Sequence, residues 1–178
     1  MSSLFYIAIL PNETIAQQIT DFKLFAKANF DTKRALTSPP HITIIPPFRL
    51  KKGIDITDLQ HTIEAFCSSQ KPFNVTLQNF GRFENRVIFV AVLPNATLED
   101  MWRKLHLILA EAYQIKQRRT TFHPHITIAF KDLDEARFPE AWKHFSSIEF
   151  HANFEMRQLA ILKHNGHFWE IMQRYSIK

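Results

Sequence analysis

The chain has 178 residues, 46% of them apolar and 22% charged, the profile of a soluble globular protein long enough for one domain with a real core. Its formal net charge of +5 permits an anionic ligand without demanding nucleic acid. Only 3 glycines and no Walker or dinucleotide fingerprint exclude a glycine-rich nucleotide loop, and the single cysteine, Cys67, excludes an internal disulfide or a Cys-pair zinc site.

Ser3 to Leu10 is a short apolar run closed by Pro11-Asn12, which predicts a buried first strand rather than a signal peptide. Asn12 or Thr14 caps a helix expected to reach about Ala28, with Ile15, Ile19, Phe22, Leu24 and Phe25 near helical spacing. Pro39-Pro40 forces an extended chain into a strand over His41 to Ile45, and Pro46-Pro47 is expected to stop it. Thr57 to Ser69 suits a helix, with Cys67 packed in the core.

Pro72 to Phe83 and Arg86 to Leu93 read as two strands around the turn Glu84-Asn85. Thr97 to Tyr113 carries an apolar stripe through Leu98, Met101, Trp102, Leu105, Ile108 and Leu109, so a helix is predicted. Phe122 to Phe130 is a further strand and Asp134 to Phe145 a short helix tolerating Pro139 near its start. Phe150 to Leu162 and His167 to Ile177 are expected to be two strands joined at His164-Asn165-Gly166-His167. Hairpins alternate with strand-helix units, so the class is α+β with mainly antiparallel sheets. No linker divides the chain. No run reaches the ~18 apolar residues of a membrane span, and a cytoplasmic protein is expected.

Pro40-His41-Ile42-Thr43-Ile44 recurs as Pro124-His125-Ile126-Thr127-Ile128, 84 positions later. Each copy follows a helix-like segment and reads as a strand, so two related halves are inferred. Side chains alternate along a strand: His41 and Thr43 share one face while Ile42 and Ile44 anchor the other, and His125 and Thr127 repeat the arrangement. If a pseudo-twofold axis relates the halves, two imidazoles and two hydroxyls meet across a cleft. Imidazole titrates near neutrality, so one ring can accept a proton while its twin donates one. Threonine hydroxyls can donate to phosphate oxygens, where negative charge gathers. The scheme calls for no metal and no cofactor. A single His-x-Thr on a strand is ordinarily a solvated polar face, but an identical pentapeptide repeated in the same context is not.

On these residues the chain resembles the two-histidine (2H) phosphoesterase superfamily, closest to its 2′-5′ RNA ligase-like, RNA 2′,3′-cyclic phosphodiesterase group. Leu4 to Pro11, Phe80 to Val90, Thr97 to Leu109 and the terminal hairpin Phe154 to Tyr175 are similar to further segments of that family. The resemblance implies a bilobal fold over residues 1–178, two mainly antiparallel sheets flanked by helices in two intertwined lobes around a central cleft. It implies His41 and His125 as the acid-base pair, Thr43 and Thr127 as phosphate ligands, and the opening of 2′,3′-cyclic phosphates on RNA or nucleotides to 2′-phosphates, with 2′-5′ ligation a further activity of the group. Two departures concern the substrate. Ile45-Pro46-Pro47-Phe48 follows the first motif where the family has Leu-x-Phe-Leu-Gly, and Ala129-Phe130-Lys131 follows the second where it often has Arg.

Lesser candidates surround the motifs. Phe48 and Phe130 follow at nearly matching offsets and are candidates to stack a base, with core packing as the plainer reading. Lys131 is a candidate for the missing charge. Arg49, Lys51 and Lys52, or Arg118 and Arg119, are candidates to steer a phosphate backbone, with solvated loop charge as the alternative. His123, His125 and His41 make a poor metal set because no carboxylate or Cys accompanies them. The expected partner is an RNA or nucleotide with a cyclic phosphate, and the chain is expected to act as a monomer. Two rivals remain: the same chemistry on a small cyclic ester such as ADP-ribose 1″,2″-cyclic phosphate, and a nucleotide- or RNA-binding module without turnover.

Overall fold

A computed structural model describes residues 3–116 and 121–178. The first strand, β1 (Phe5–Ile9), leads into α1 (Glu13–Phe30), a 3-10 turn (Arg34–Thr37) and β2 (Ile42–Phe48). After α2 (Ile56–Ser68) come β3 (Phe73–Phe83), β4 (Val87–Val92), α3 (Ala96–Tyr113) and β5 (His125–Phe130). The chain closes with α4 (Phe138–Ser146), β6 (His151–Met156), β7 (Gln158–His164) and β8 (Trp169–Ser176). Two four-stranded antiparallel sheets result, β2-β1-β7-β8 and β5-β4-β3-β6, as expected for an α+β fold.

The halves repeat more deeply than the histidine motif. β1-α1-β2 matches β4-α3-β5, and each motif strand forms the edge of its sheet. At the strand-to-helix junction the sequence itself repeats: Ala8-Ile9-Leu10-Pro11-Asn12-Glu13-Thr14 beside Ala91-Val92-Leu93-Pro94-Asn95-Ala96-Thr97. Both asparagines cap their helices in the same way. Asn12 Oδ1 accepts from the Ile15 amide and Asn95 Oδ1 from the Leu98 amide, each at 3.0 Å, which satisfies a donor the helix leaves open. Both helices end on a left-handed residue, Asp31 (φ 54°) and Gln114 (φ 56°).

Helix packing crosses between the halves: α1 contacts β5 and α3 contacts β2. One continuous core follows, joining Ile7, Ile9, Ile42, Ile44 and Ile45 to Ile88, Val90, Ile126, Ile128 and Phe145. Cys67 is fully buried in it, and burial pushes its thiol up to about 12. A second, smaller cluster of Tyr6, Ala8, Ala160 and Leu162 lies on the other face of the first sheet. Among the described residues no helix is long and apolar enough to cross a membrane.

Three expectations need correction. Pro46 and Pro47 do not stop β2, which runs on to Phe48. An edge strand tolerates proline because its missing N–H has no ladder partner to lose. The run from Phe150 to Leu162 is two strands: β6 pairs with β3 in one sheet and β7 pairs with β1 and β8 in the other, with Arg157 at the crossing. The last hairpin turns later than the Asn-Gly signal suggests. His164 pairs with Trp169, and Asn165 Oδ1 accepts from the amides of His167 and Phe168, so a four-residue loop replaces a two-residue turn.

Candidate active site

Each histidine sits where a proline delivers the chain to an edge strand. The residue before a proline is confined to extended backbone, and in both copies its carbonyl lies against the imidazole two residues on. His41 Nδ1 is 2.7 Å from the Pro39 carbonyl oxygen and His125 Nδ1 is 2.6 Å from that of His123. A carbonyl cannot donate, so these are hydrogen bonds only if Nδ1 carries the proton. Nε2 of each ring is therefore an acceptor when the ring is neutral and a donor when it is charged. The backbone of each motif thus sets the tautomer that acid-base work at Nε2 requires.

The strand faces follow from register. Ala8 pairs with Thr43 while Ile9 pairs with Ile42, so His41 and Thr43 turn to the face of Tyr6 and Ala8, away from the core isoleucines. On the second sheet Thr127 pairs with Phe89, and Phe89 with Gly81. The motif strands β2 and β5 contact one another, and the two histidines are close enough for charge on His125 to disfavour charge on His41.

Rings enclose both imidazoles. Tyr6 lies 4.8 Å from His41 between ring centres. His125 has Phe83 at 4.9 Å, nearly perpendicular, and Phe89 at 5.0 Å. Gly81 makes room for this: a Cβ there would lie 2.4 Å from the Phe89 ring, so only glycine lets that ring cross the strand.

Burial is the main reason His41 is lowered to about 4. The Pro39 carbonyl opposes the shift, while the charges of Lys23 and His125 add to it. The ring is therefore neutral at pH 7 in the free protein. Lys23 is itself buried, and burial lowers it to about 8. Its Nζ donates to the carbonyls of Ala35 (2.9 Å) and Ser38 (3.1 Å), which ties α1 to the segment leading into His41. The Ser38 and Tyr6 hydroxyls share a hydrogen bond, and Ser38 Oγ is 3.3 Å from His41 Nδ1.

Asp132, just past β5, ties the second motif strand to the same segment. Its carboxylate accepts from the Thr32 hydroxyl (2.8 Å) and from the amides of Lys33 (2.8 Å) and Arg34 (2.9 Å). Burial alone would raise its pKa, but these donors hold it below the usual carboxylate range.

Among the proposed site residues, His41, immediately before β2, and Thr43, His125 and Thr127, within β2 and β5, are half-buried. Phe48 packs against Phe5, on the face of Ile7 and Ile9. Phe130 carries the Lys131 ammonium 5.5 Å from its ring centre, and among the described residues neither Phe48 nor Phe130 makes a ring contact with His41 or His125. Arg118 and Arg119 lie outside the described residues. Among the described residues no three His, Cys, Asp or Glu side chains are grouped to hold a metal ion. Tyr6, Lys23, Gly81, Phe83, Phe89 and Asp132 were not read as site residues from sequence. Gly81, Phe83 and Phe89 do stand in the Phe80 to Val90 segment that is similar to the family's.

A model of the 2′-5′ RNA ligase superfamily matches residues 11–168. A protein of Geobacillus sp. (strain WCH70) named as a candidate phosphoesterase is 26% identical over 176 residues, covering 96% of this chain and 94% of that one. The fold is similar to the crystal structure of TT0787 of Thermus thermophilus, with a TM-score of 0.72 and 15% identity over 98% of this chain and 97% of that one. It is also similar to E. coli LigT complexed with 3′-AMP, with a TM-score of 0.69 and 17% identity over 100% of this chain and 99% of that one.

Proposed function

Because this chain belongs to the 2′-5′ RNA ligase superfamily, a branch of the two-histidine phosphoesterases, we propose that it opens 2′,3′-cyclic phosphates on RNA ends or nucleotides by acid-base catalysis between His41 and His125. The observation that carries this reading is the matched pair of Nδ1–carbonyl hydrogen bonds, which puts both rings in the same tautomer, with Nε2 the nitrogen that gains and loses a proton. Neutral His41 takes a proton from water at Nε2 as the water oxygen bonds to phosphorus. The bond from phosphorus to the 3′-oxygen breaks, and His125 Nε2–H gives that oxygen its proton. The phosphate stays on the 2′-oxygen. Thr43 and Thr127 hydroxyls donate to the non-bridging oxygens, whose charge grows in the transition state. LigT complexed with 3′-AMP supports a nucleotide as the class of ligand. The same two proton transfers, with a 5′-hydroxyl in place of water, bond that 5′-oxygen to phosphorus as the bond to the 3′-oxygen breaks, which leaves the 2′-5′ linkage that the family description names.

A short RNA ending in a 2′,3′-cyclic phosphate, incubated with the protein in EDTA and followed by phosphorus NMR, tests the proposal. The cyclic ester is expected to disappear in favour of a monoester on the 2′-oxygen. If this RNA is untouched while ADP-ribose 1″,2″-cyclic phosphate is opened, the substrate assignment is wrong and the chemistry stands. If nucleotides bind and no cyclic ester opens, the protein is a binding module.

A further inference from the structure

The face of the first sheet that carries His41 and Thr43 continues beyond them as an apolar shelf. Register places Tyr6 opposite Leu162, Leu162 opposite Ile171, and His164 opposite Trp169. The ring contacts form a chain: Tyr6 lies 4.8 Å from His41, and Trp169 stands edge-on to Tyr6 at 4.5 Å and 72°. Tyr6 is only 3% exposed and acts as a spacer fixed through its hydroxyl to Ser38. Trp169 is half-buried, held from a second side by His164 at 4.9 Å, and it keeps part of its surface open. Leu10 and Ile171, also half-buried, complete the shelf.

The other two tryptophans have partners that account for them. Trp102 stacks on Phe122 at 4.8 Å within the core, and Trp142 carries the Arg82 guanidinium at 5.6 Å. Trp169 sits at the start of an edge strand, outside the main core, with Tyr6 and His164 as its ring contacts among the described residues. A large indole left half-open two ring contacts from a phosphate site suits a flat, apolar group joined to that phosphate by a short spacer. In a nucleoside 2′,3′-cyclic phosphate the spacer is one ribose and the flat group is the base. Phe48, by contrast, is turned to the opposite face against Phe5.

We propose that Trp169, backed by Tyr6, is the platform on which the substrate's nucleobase stacks, so that the cleft takes nucleoside phosphates in preference to base-less sugar phosphates. This rests on the phosphoesterase reading for the position of the phosphate. Every base has a π-face, so the platform gives affinity with little discrimination among the four bases.

Binding separates this inference from the reading beneath it, because binding needs no turnover. Adenosine 2′-phosphate and 1-O-methylribose 2′-phosphate are titrated calorimetrically into wild type, Trp169→Phe and Trp169→Ala. Trp169→Ala is expected to weaken adenosine 2′-phosphate by about 10- to 100-fold. It should leave the base-less ligand within twofold, and Trp169→Phe should recover most of the loss. An equal loss for both ligands would make Trp169 a structural support of the cleft and overturn the proposal. So would unchanged affinity for the adenosine compound. If no cyclic ester is opened by wild type but the base-dependent loss is seen, the shelf stands and the catalytic reading falls.

Discussion

His41→Ala and His125→Ala are each expected to lower kcat/KM for a 2′,3′-cyclic phosphate by about 10²–10⁴-fold, the ordinary worth of one positioned proton transfer. Each Nε2 has one task in the proposed step. The double variant should fall little below the worse single variant, because groups acting in one concerted transfer are not additive. Initial rates on the same RNA measure this, with circular dichroism confirming that each variant is folded. If either single variant kept activity within a few-fold of wild type, the pair would not be the catalytic machinery.

Gly81→Ala is expected to cost about 10- to 100-fold in kcat with a smaller effect on KM. The added methyl would meet the Phe89 ring at 2.4 Å. That ring cannot swing aside freely, since Phe83 lies 4.4 Å from it on one side and His125 5.0 Å on the other. Overpacking of this kind typically costs about 1–3 kcal/mol, and misplacing a catalytic group by about 1 Å can cost 10²-fold. Steady-state kinetics beside a thermal melt tells the effects apart. A lowered Tm with unchanged kcat would mean that Phe89 does not position His125. Phe89→Ala in the Gly81→Ala background, which removes the clash, should restore the melt but not kcat.

The common face of His41 with Thr43, and of His125 with Thr127, was legible because it follows from a local pattern. A strand alternates, so a repeated Pro-His-Ile-Thr-Ile announces both which residues point together and which are buried; Ile42, Ile44, Ile126 and Ile128 are indeed core. The supports were not legible because tertiary packing brings them from elsewhere. Lys23 comes from mid-helix, Tyr6 from a strand that reads as plain apolar sequence, and Asp132 bonds to Thr32, a hundred residues away.

Two signals were present but unread. The Leu-Pro-Asn repeat marks equivalent helix caps and would have extended the internal symmetry well beyond the pentapeptide. The change of sheet at Arg157 is written in burial: β6 alternates exposed and buried, whereas Leu159 to Leu162 in β7 are buried on both faces. Proline at Pro46 and Pro47 misled because its cost depends on whether the strand is an edge, which local sequence does not reveal.

The most direct test of the central claim is the pH dependence of kcat/KM for the cyclic-phosphate RNA in EDTA. Two histidines in opposite protonation states predict a bell. Activity is lost as pH falls and the base gains its proton, and lost again as pH rises and the acid surrenders its own. Burial holds His41 near about 4 in the free protein, so the acid limb should lie below the ordinary histidine range, and it should vanish from the residual activity of His41→Ala. A profile that stays flat between about pH 4 and 9, or an acid limb unchanged in that variant, would contradict the account.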